Sequence, residues 1–174
     1  KHFGYRPNGF WLPECAYIPD VETILKKAGL NYFFLESHGL LLGNPEPEKG
    51  VFAPVATPED CVAFGRDIES SNQVWSGTEG YPGDETYREF YKDLGFDAEY
   101  EYIKPFLHGD GSRHHLGFKY HRVTGDVPLK EKEPYNPEAG RQKAREHARH
   151  FVSERCEQVD KVSTAISDSP LIVS

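Results

Sequence analysis

The order of apolar runs and helical patterns predicts an α/β protein. Two short apolar runs of strand length, Phe10-Trp11-Leu12 and Tyr32-Phe33-Phe34-Leu35, flank a segment of helical period. Within residues 19–28, Val21, Ile24, Leu25 and Ala28 recur at spacings of three and four. Strand, helix and strand at this separation make a βαβ unit with a right-handed crossover. The second strand is apolar throughout, the type buried on both faces of a parallel sheet. Along the chain the pattern reads β-α-β-loop-β-insertion-α-β.

Residues 9–14 are read as the first strand. Pro13 stops it, because proline has no N–H to give to a ladder. Glu14 then lies on the loop at the strand's carboxyl end, where α/β proteins build their sites, and is the first candidate for chemistry. Pro19 is placed to open the helix 19–28, with Asp20 and Glu22 in its first turn and Gly29 as its stop. The second strand runs into Glu36, Ser37, His38 and Gly39, so two adjacent strands put ionisable groups on one rim.

Residues 43–60 carry Gly43, Pro45, Pro47, Gly50, Pro54 and Pro58 and read as loop, with a short strand at 51–53. Val62-Ala63-Phe64-Gly65 is a third strand, followed by Arg66-Asp67, which reads as a rim ion pair in preference to a site element, and Gln73-Val74-Trp75-Ser76 a fourth. Residues 77–83 are a turn-rich loop with Tyr81 exposed at its centre, a candidate mobile lid. Asp84 is read as the cap of a helix ending at Leu94, with Gly95 at its C′ position. Residues 96–135 look like an irregular insertion, with a strand at 117–123. Asn136 caps a long helix whose first residue is Pro137 and which runs to about residue 162, a charged, solvated outer helix. Pro170-Leu171-Ile172-Val173-Ser174 is a strand signal on which the chain stops, as though cut at the carboxyl end of a barrel strand.

The chain has 174 residues, enough for one domain with a real core. A formal net charge of −8 argues against nucleic acid and against anionic membrane surfaces. No run approaches the length of a membrane span, and the first residues show no basic-then-apolar pattern of a signal peptide. The sequence starts at Lys1 and contains no Met, which suggests a piece of a longer chain. Three widely spaced cysteines, Cys15, Cys61 and Cys156, form neither a disulfide framework nor a CxxC metal site, so a reducing cytoplasm is the expected location.

Glycosidic-bond chemistry uses two carboxylates, with aromatic rings shaping the sugar subsite. Glu14 suits the first role, although a carboxylate there also serves as a plain cap of the following helix. Trp11 lies three residues earlier. In a regular strand the two face opposite ways, so Trp11 lines the same site only if Pro13 bends the chain; otherwise it is core. His38 on the rim has the chemistry to orient Glu14, bond a substrate hydroxyl or hold a metal. Neither an HxH nor an HExxH spacing occurs, and His114, His115 and His121 read as solvated surface. The 77–83 loop lacks the glycine register and the Lys-Ser/Thr of a phosphate cradle.

Trp11-Leu12-Pro13-Glu14-Cys15-Ala16 resembles the motif that carries the nucleophile in glycoside hydrolase family 57, and within it the 1,4-α-glucan branching enzymes. Leu35-Glu36-Ser37-His38-Gly39-Leu40, Gln73-Val74-Trp75-Ser76 with Gly80-Tyr81-Pro82-Gly83, Tyr87-Arg88-Glu89-Phe90-Tyr91 and residues 169–174 look like branching-enzyme segments too. The resemblance implies part of a (β/α)7 barrel with an irregular insertion, a retaining mechanism and an α-glucan substrate, with no cofactor and no metal. It assigns the nucleophile to Glu14 and substrate contact to Trp11; His38, from its place on the rim, and Tyr81, from the 77–83 loop, are further substrate-contact candidates. It also implies that the earlier barrel strands, the acid/base Asp (expected just after Ser174) and a C-terminal helical domain lie outside these 174 residues, so that the chain alone is inactive. Asp168 precedes the last strand and does not fill the acid/base role. Alternatives are an α-amylase or 4-α-glucanotransferase of the same family, a non-catalytic glucan-binding module, and a metal-dependent polysaccharide deacetylase.

Overall fold

The computed structural model describes residues 2–174. The chain divides into two units, residues 1–74 with 152–174, and residues 75–151.

The first unit is organised on a four-stranded sheet of order β1-β2-β4-β3. Its strands are β1 (Gly9–Trp11), β2 (Tyr32–Leu35), β3 (Val55–Ala56) and β4 (Val62–Gly65). Strands β1, β2 and β4 are parallel, with Trp11 opposite Phe34 and Phe34 opposite Phe64; β3 is antiparallel to β4. The mixed α/β sheet agrees with the sequence reading. The short strand expected at 51–53 forms instead at Val55–Ala56, where it pairs with Val62 and Ala63.

The two faces of the sheet differ. On one, Phe33, Leu35 and Ala63 pack with Leu12, Leu25, Leu40 and Cys61 into the core. On the other, Trp11, Phe34 and Phe64 form a row of tilted rings with centroids 5.5 and 5.6 Å apart. Tyr32 meets Phe34 and Phe64 edge-on. Gly9 lies directly under the Tyr32 ring, and a Cβ there would come within 2.1 Å of it.

Helix α1 spans Val21–Lys27 and ends as expected. Gly29 (φ +77°) gives its N–H to Lys26 O and Leu30 gives its own to Leu25 O, a Schellman closure. Its start differs. Asp20 has φ 70°, so the helix begins after it rather than at Pro19. A five-residue helix α2 (Ser37–Leu41) follows β2, and α3 (Ile68–Trp75) follows β4. Helix α3 corrects the strand expected at 73–76. Asp67 accepts the N–H of Ser70 at 2.8 Å and nucleates the helix, which runs on through Trp75. Residues 170–174 form no strand, but Leu171 N donates to Phe52 O and Val173 O accepts from Asp67 N.

In the second unit the helix expected from Asp84 to Leu94 is absent. Asp84 accepts the N–H of Thr86 at 2.9 Å, and this local turn competes with a helical start. Residues 87–89 instead run beside 121–123: Glu89 N donates to His121 O and Val123 N to Tyr87 O. Of the strand expected at 117–123 only bridges at Arg122 and His121 form. Two four-residue helices follow, α4 (Leu94–Asp97) and α5 (Tyr100–Ile103). The last helix, α6, spans Pro137–Ile166 and crosses the boundary between the units. Asn136 caps it, accepting from the N–H groups of Glu138 and Ala139.

Among the described residues of the second unit Ile103 is the only buried apolar side chain, while Glu89, Lys92 and Asp93 are buried charges. Charge-assisted bonds to backbone therefore hold its loops. Lys92 donates to Leu129 O at 2.7 Å, and Lys132 reaches Gly125 O at 2.8 Å and Glu89 at 3.4 Å. Asp93 accepts the N–H groups of Gly95, Leu116 and Gly117 at 2.8–3.0 Å. Burial opposes ionisation of Asp93, but these donors outweigh it and hold the carboxyl below the usual aspartate range. Replacing Asp93 by Ala strands three buried donors and is expected to cost about 3 kcal/mol. A depressed native value adds stability above the unfolded value of about 3.9, and the gain disappears as pH falls through the native value. Urea unfolding of wild type and Asp93→Ala from pH 7 to pH 3 checks this: the difference between them shrinks toward acid.

Candidate active site

The carboxyl end of β1 does not stop at Pro13 as an ordinary strand end. Pro13–Cys15 form a 3₁₀ turn closed by Cys15 N to Leu12 O (2.8 Å) and Ala16 N to Pro13 O (3.1 Å). Within it Glu14 (φ 55°, ψ 17°) and Cys15 (φ 51°) are both left-handed. The regular strand alternation therefore ends at Trp11 and does not run on to Glu14. Leu12 and Cys15 point into the protein, and Trp11 and Glu14 are exposed.

Two residues from the neighbouring strand ends meet this turn, Glu36 and Arg66. Glu36 directly follows β2, and its N–H donates to Cys15 O at 2.9 Å. Its Oε1 accepts from Ser37 N at 3.1 Å, capping α2, and its Oε2 accepts from Arg66 Nη1, also at 3.1 Å. Arg66 directly follows β4 and its guanidinium carbon lies 5.8 Å from the centre of the Trp11 ring, within cation–π range. Burial pushes the Cys15 thiol up, with the adjacent guanidinium opposing it. A buried thiol of that kind is a packing group rather than a nucleophile.

The expected Arg66-Asp67 ion pair is thus corrected: Arg66 pairs with Glu36, while Asp67 caps α3. His38 is exposed on α2, and among the described residues no hydrogen bond or ion pair joins it to Glu14. Asp168 forms a 2.6 Å ion pair with Lys49. An apolar cavity of about 530 Å³ lies on the core face of the sheet, lined by Tyr17, Phe33, Leu35, Leu40, Pro45 and Val55; neither Glu14 nor Trp11 lines it. No group of three or more His, Cys, Asp or Glu among the described residues is arranged to hold a metal ion. No helix is long and apolar enough to cross a membrane.

Tyr81 belongs to the second unit and is not an exposed loop tip. It opens a 3₁₀ turn (Tyr81–Gly83), its hydroxyl lies 2.7 Å from His150 Nδ1, and its ring stacks on His147 at 4.4 Å. His147 in turn contacts Tyr87 Oη through Nδ1 at 2.9 Å, and its Nε2 is 3.6 Å from Asp84. The Ser76 hydroxyl accepts from Thr78 and Glu79 N–H groups, which fixes the loop's first turn.

Residues 1–165 match the sequence pattern of glycosyl hydrolase family 57. The chain belongs to that family. A family 57 relative, a 1,4-alpha-glucan branching enzyme of Thermococcus kodakarensis, is 34% identical over 183 residues, covering 88% of this chain and 24% of its own length. A probable 1,4-alpha-glucan branching enzyme of Mycobacterium tuberculosis is 36% identical over 149 residues, covering 85% and 24%. Among solved structures, the alpha-amylase AmyC from Thermotoga maritima superimposes with a TM-score of 0.86 at 40% identity, over 99% of this chain and 34% of AmyC. The branching enzyme from Pyrococcus horikoshii gives 0.74 at 33% identity, over 99% and 31%. The chain thus spans about a quarter of the length of its sequence relatives and a third of the solved chains.

Sequence reasoning placed Glu36 on the rim but missed its pairing with Arg66. In the structure Leu35 and Gly65 are partners in the parallel register, so the residues that follow them are neighbours of opposite charge. Because a left-handed L-residue costs about 1–2 kcal/mol, Glu14→Gly is expected to raise stability by about 0.5–1 kcal/mol after the entropy of the added glycine is subtracted. A higher urea midpoint at unchanged slope confirms that the turn is strained; a lower one contradicts it.

Proposed function

We propose that Glu14 is the nucleophile of an α-glucan-active site and that the enzyme containing this segment is a retaining transglycosylase that forms α-1,6 branches. The observation that carries the reading is the exposed carboxylate of Glu14, held in a left-handed turn at the carboxyl end of the strand that also carries the half-exposed Trp11. Glu36 is engaged by Arg66 and Ser37, which leaves Glu14 as the carboxylate offered on this rim.

Glu14 attacks the anomeric carbon of an α-1,4-glucan while a second carboxylic acid, about 5 Å away, protonates the departing oxygen. A covalent glycosyl-enzyme forms with inverted configuration. The 6-hydroxyl of a second glucan chain then attacks the same carbon, gives its proton to the second carboxylate and restores the α configuration. Two inversions give retention. Trp11 stacks on a sugar ring next to the cleavage point, and His38 and Tyr81 are further substrate contacts; Tyr81 acts from a pinned turn rather than from a mobile lid. The net charge of −8 fits a neutral, hydroxyl-rich substrate. Acidic composition and free cysteines support a cytoplasmic setting.

A second reading, hydrolysis of α-glucan with water as acceptor, is favoured by the fit to an alpha-amylase at a TM-score of 0.86. Reducing ends and α-1,6 linkages formed from amylose separate the two: branching raises α-1,6 linkages with little gain in reducing ends, hydrolysis the reverse. Glu14→Gln in the full-length protein is expected to lower turnover by about a thousandfold or more with folding intact. Turnover within a few-fold of wild type removes the nucleophile assignment. The 174-residue chain by itself is expected to form no product.

A further inference from the structure

The turn that presents Glu14 is unfavourable in isolation, so its surroundings must hold it. Two successive L-residues in the left-handed region store on the order of 2–4 kcal/mol. The turn's own two backbone bonds do not come from outside the segment. The external restraints converge on two residues of neighbouring strands. The Glu36 N–H ties down Cys15 O at 2.9 Å. The Glu36 carboxylate, 3.1 Å from Arg66 Nη1, fixes a guanidinium that lies beside the buried Cys15 and 5.8 Å from the Trp11 ring centre. Arg66 is itself anchored, because its N–H donates to Leu35 O at 3.0 Å and its side chain is only 16% exposed.

We infer that Arg66 and Glu36 are a positioning pair for Glu14: one guanidinium, set by the Glu36 carboxylate, braces both the left-handed turn and the Trp11 ring, and so fixes the carboxylate relative to the sugar platform. This rests on Glu14 being the nucleophile. Neither member of the pair is assigned contact with the reacting atoms. The role needs the planar fork of arginine, which can bond a carboxylate in plane while presenting its face to a ring. Lysine keeps the charge but loses the stacking.

The test is kinetic and uses the full-length enzyme with amylose. Arg66→Met is expected to lower kcat about 100-fold, the effect of displacing a reacting group by roughly 1 Å, and to raise KM several-fold through Trp11. Arg66→Lys recovers most of kcat but keeps the raised KM. Glu36→Gln lowers kcat about tenfold, and the Glu36→Gln/Arg66→Met double variant is no worse than Arg66→Met alone, because the two act as a unit. Independent effects would multiply to about 1,000-fold, and that result overturns the pairing. A folded Arg66→Met with wild-type kcat and KM overturns the role of Arg66, even if its melting temperature falls. If Arg66→Met fails to fold, Arg66→Lys and the double variant decide: wild-type KM in the first together with wild-type kcat in the second refutes the inference. Glu14→Gln is measured alongside. Its inactivity with a normal Arg66→Met rejects the pair alone, whereas full activity of Glu14→Gln rejects the underlying nucleophile reading.

Discussion

Glu14 and Cys15 take backbone conformations that L-amino acids avoid, and the first unit is built so that they keep them. Pro13 ends the ladder of β1 and starts a tight turn. The left-handed pair then leaves Cys15 buried and Glu14 in solvent. The parallel order β1-β2-β4 brings the next two strand ends alongside, and those ends supply the restraints. Among the described residues the turn's external backbone bond comes from Glu36, which the sheet register brings alongside. Without the turn, the strand's alternation would continue through Glu14.

The same sheet separates packing from chemistry. One face closes over Phe33, Leu35 and Ala63 with Leu12, Leu25 and Leu40, and this apolar burial stabilises the unit. The other carries the Trp11–Phe34–Phe64 row, whose exposed end is Trp11, 48% accessible. The second unit follows a different rule. With Ile103 as its buried apolar side chain among the described residues, it relies on Asp93, Lys92 and the Glu89–Lys132 pair to satisfy its loops. Such bonds are directional, which suits a segment that must hold irregular backbone in one shape.

Strong local signals made much of this legible. The apolar strands at 32–35 and 62–65 formed as read, as did the Gly29 closure of α1 and the Asn136-Pro137 start of α6. The misses have physical causes. Asp84 and Asp67 are both residues that cap or turn, and only tertiary context decides which: Asp67 nucleates α3, whereas Asp84 makes a local turn and no helix. Arg66 was paired with its sequence neighbour Asp67, yet consecutive residues at a strand end point to opposite sides. Its true partner, Glu36, lies across the parallel ladder. The left-handed pair carried no glycine to announce it, so the strain at the site was invisible until the backbone was seen. The prominence of Glu14 and Trp11 was readable from their place at the end of an apolar run followed by proline.

The central claim is that Glu14 forms the covalent bond to the sugar. A fluorinated α-glucosyl fluoride slows breakdown of such an intermediate, because fluorine destabilises the positive charge of the second transition state. Mass spectrometry of the digested full-length enzyme after reaction with it locates the adduct. A single glycosyl group on the peptide that holds Glu14 is the predicted result. An adduct on Glu36 or any other carboxylate, with Glu14 unmodified, contradicts it.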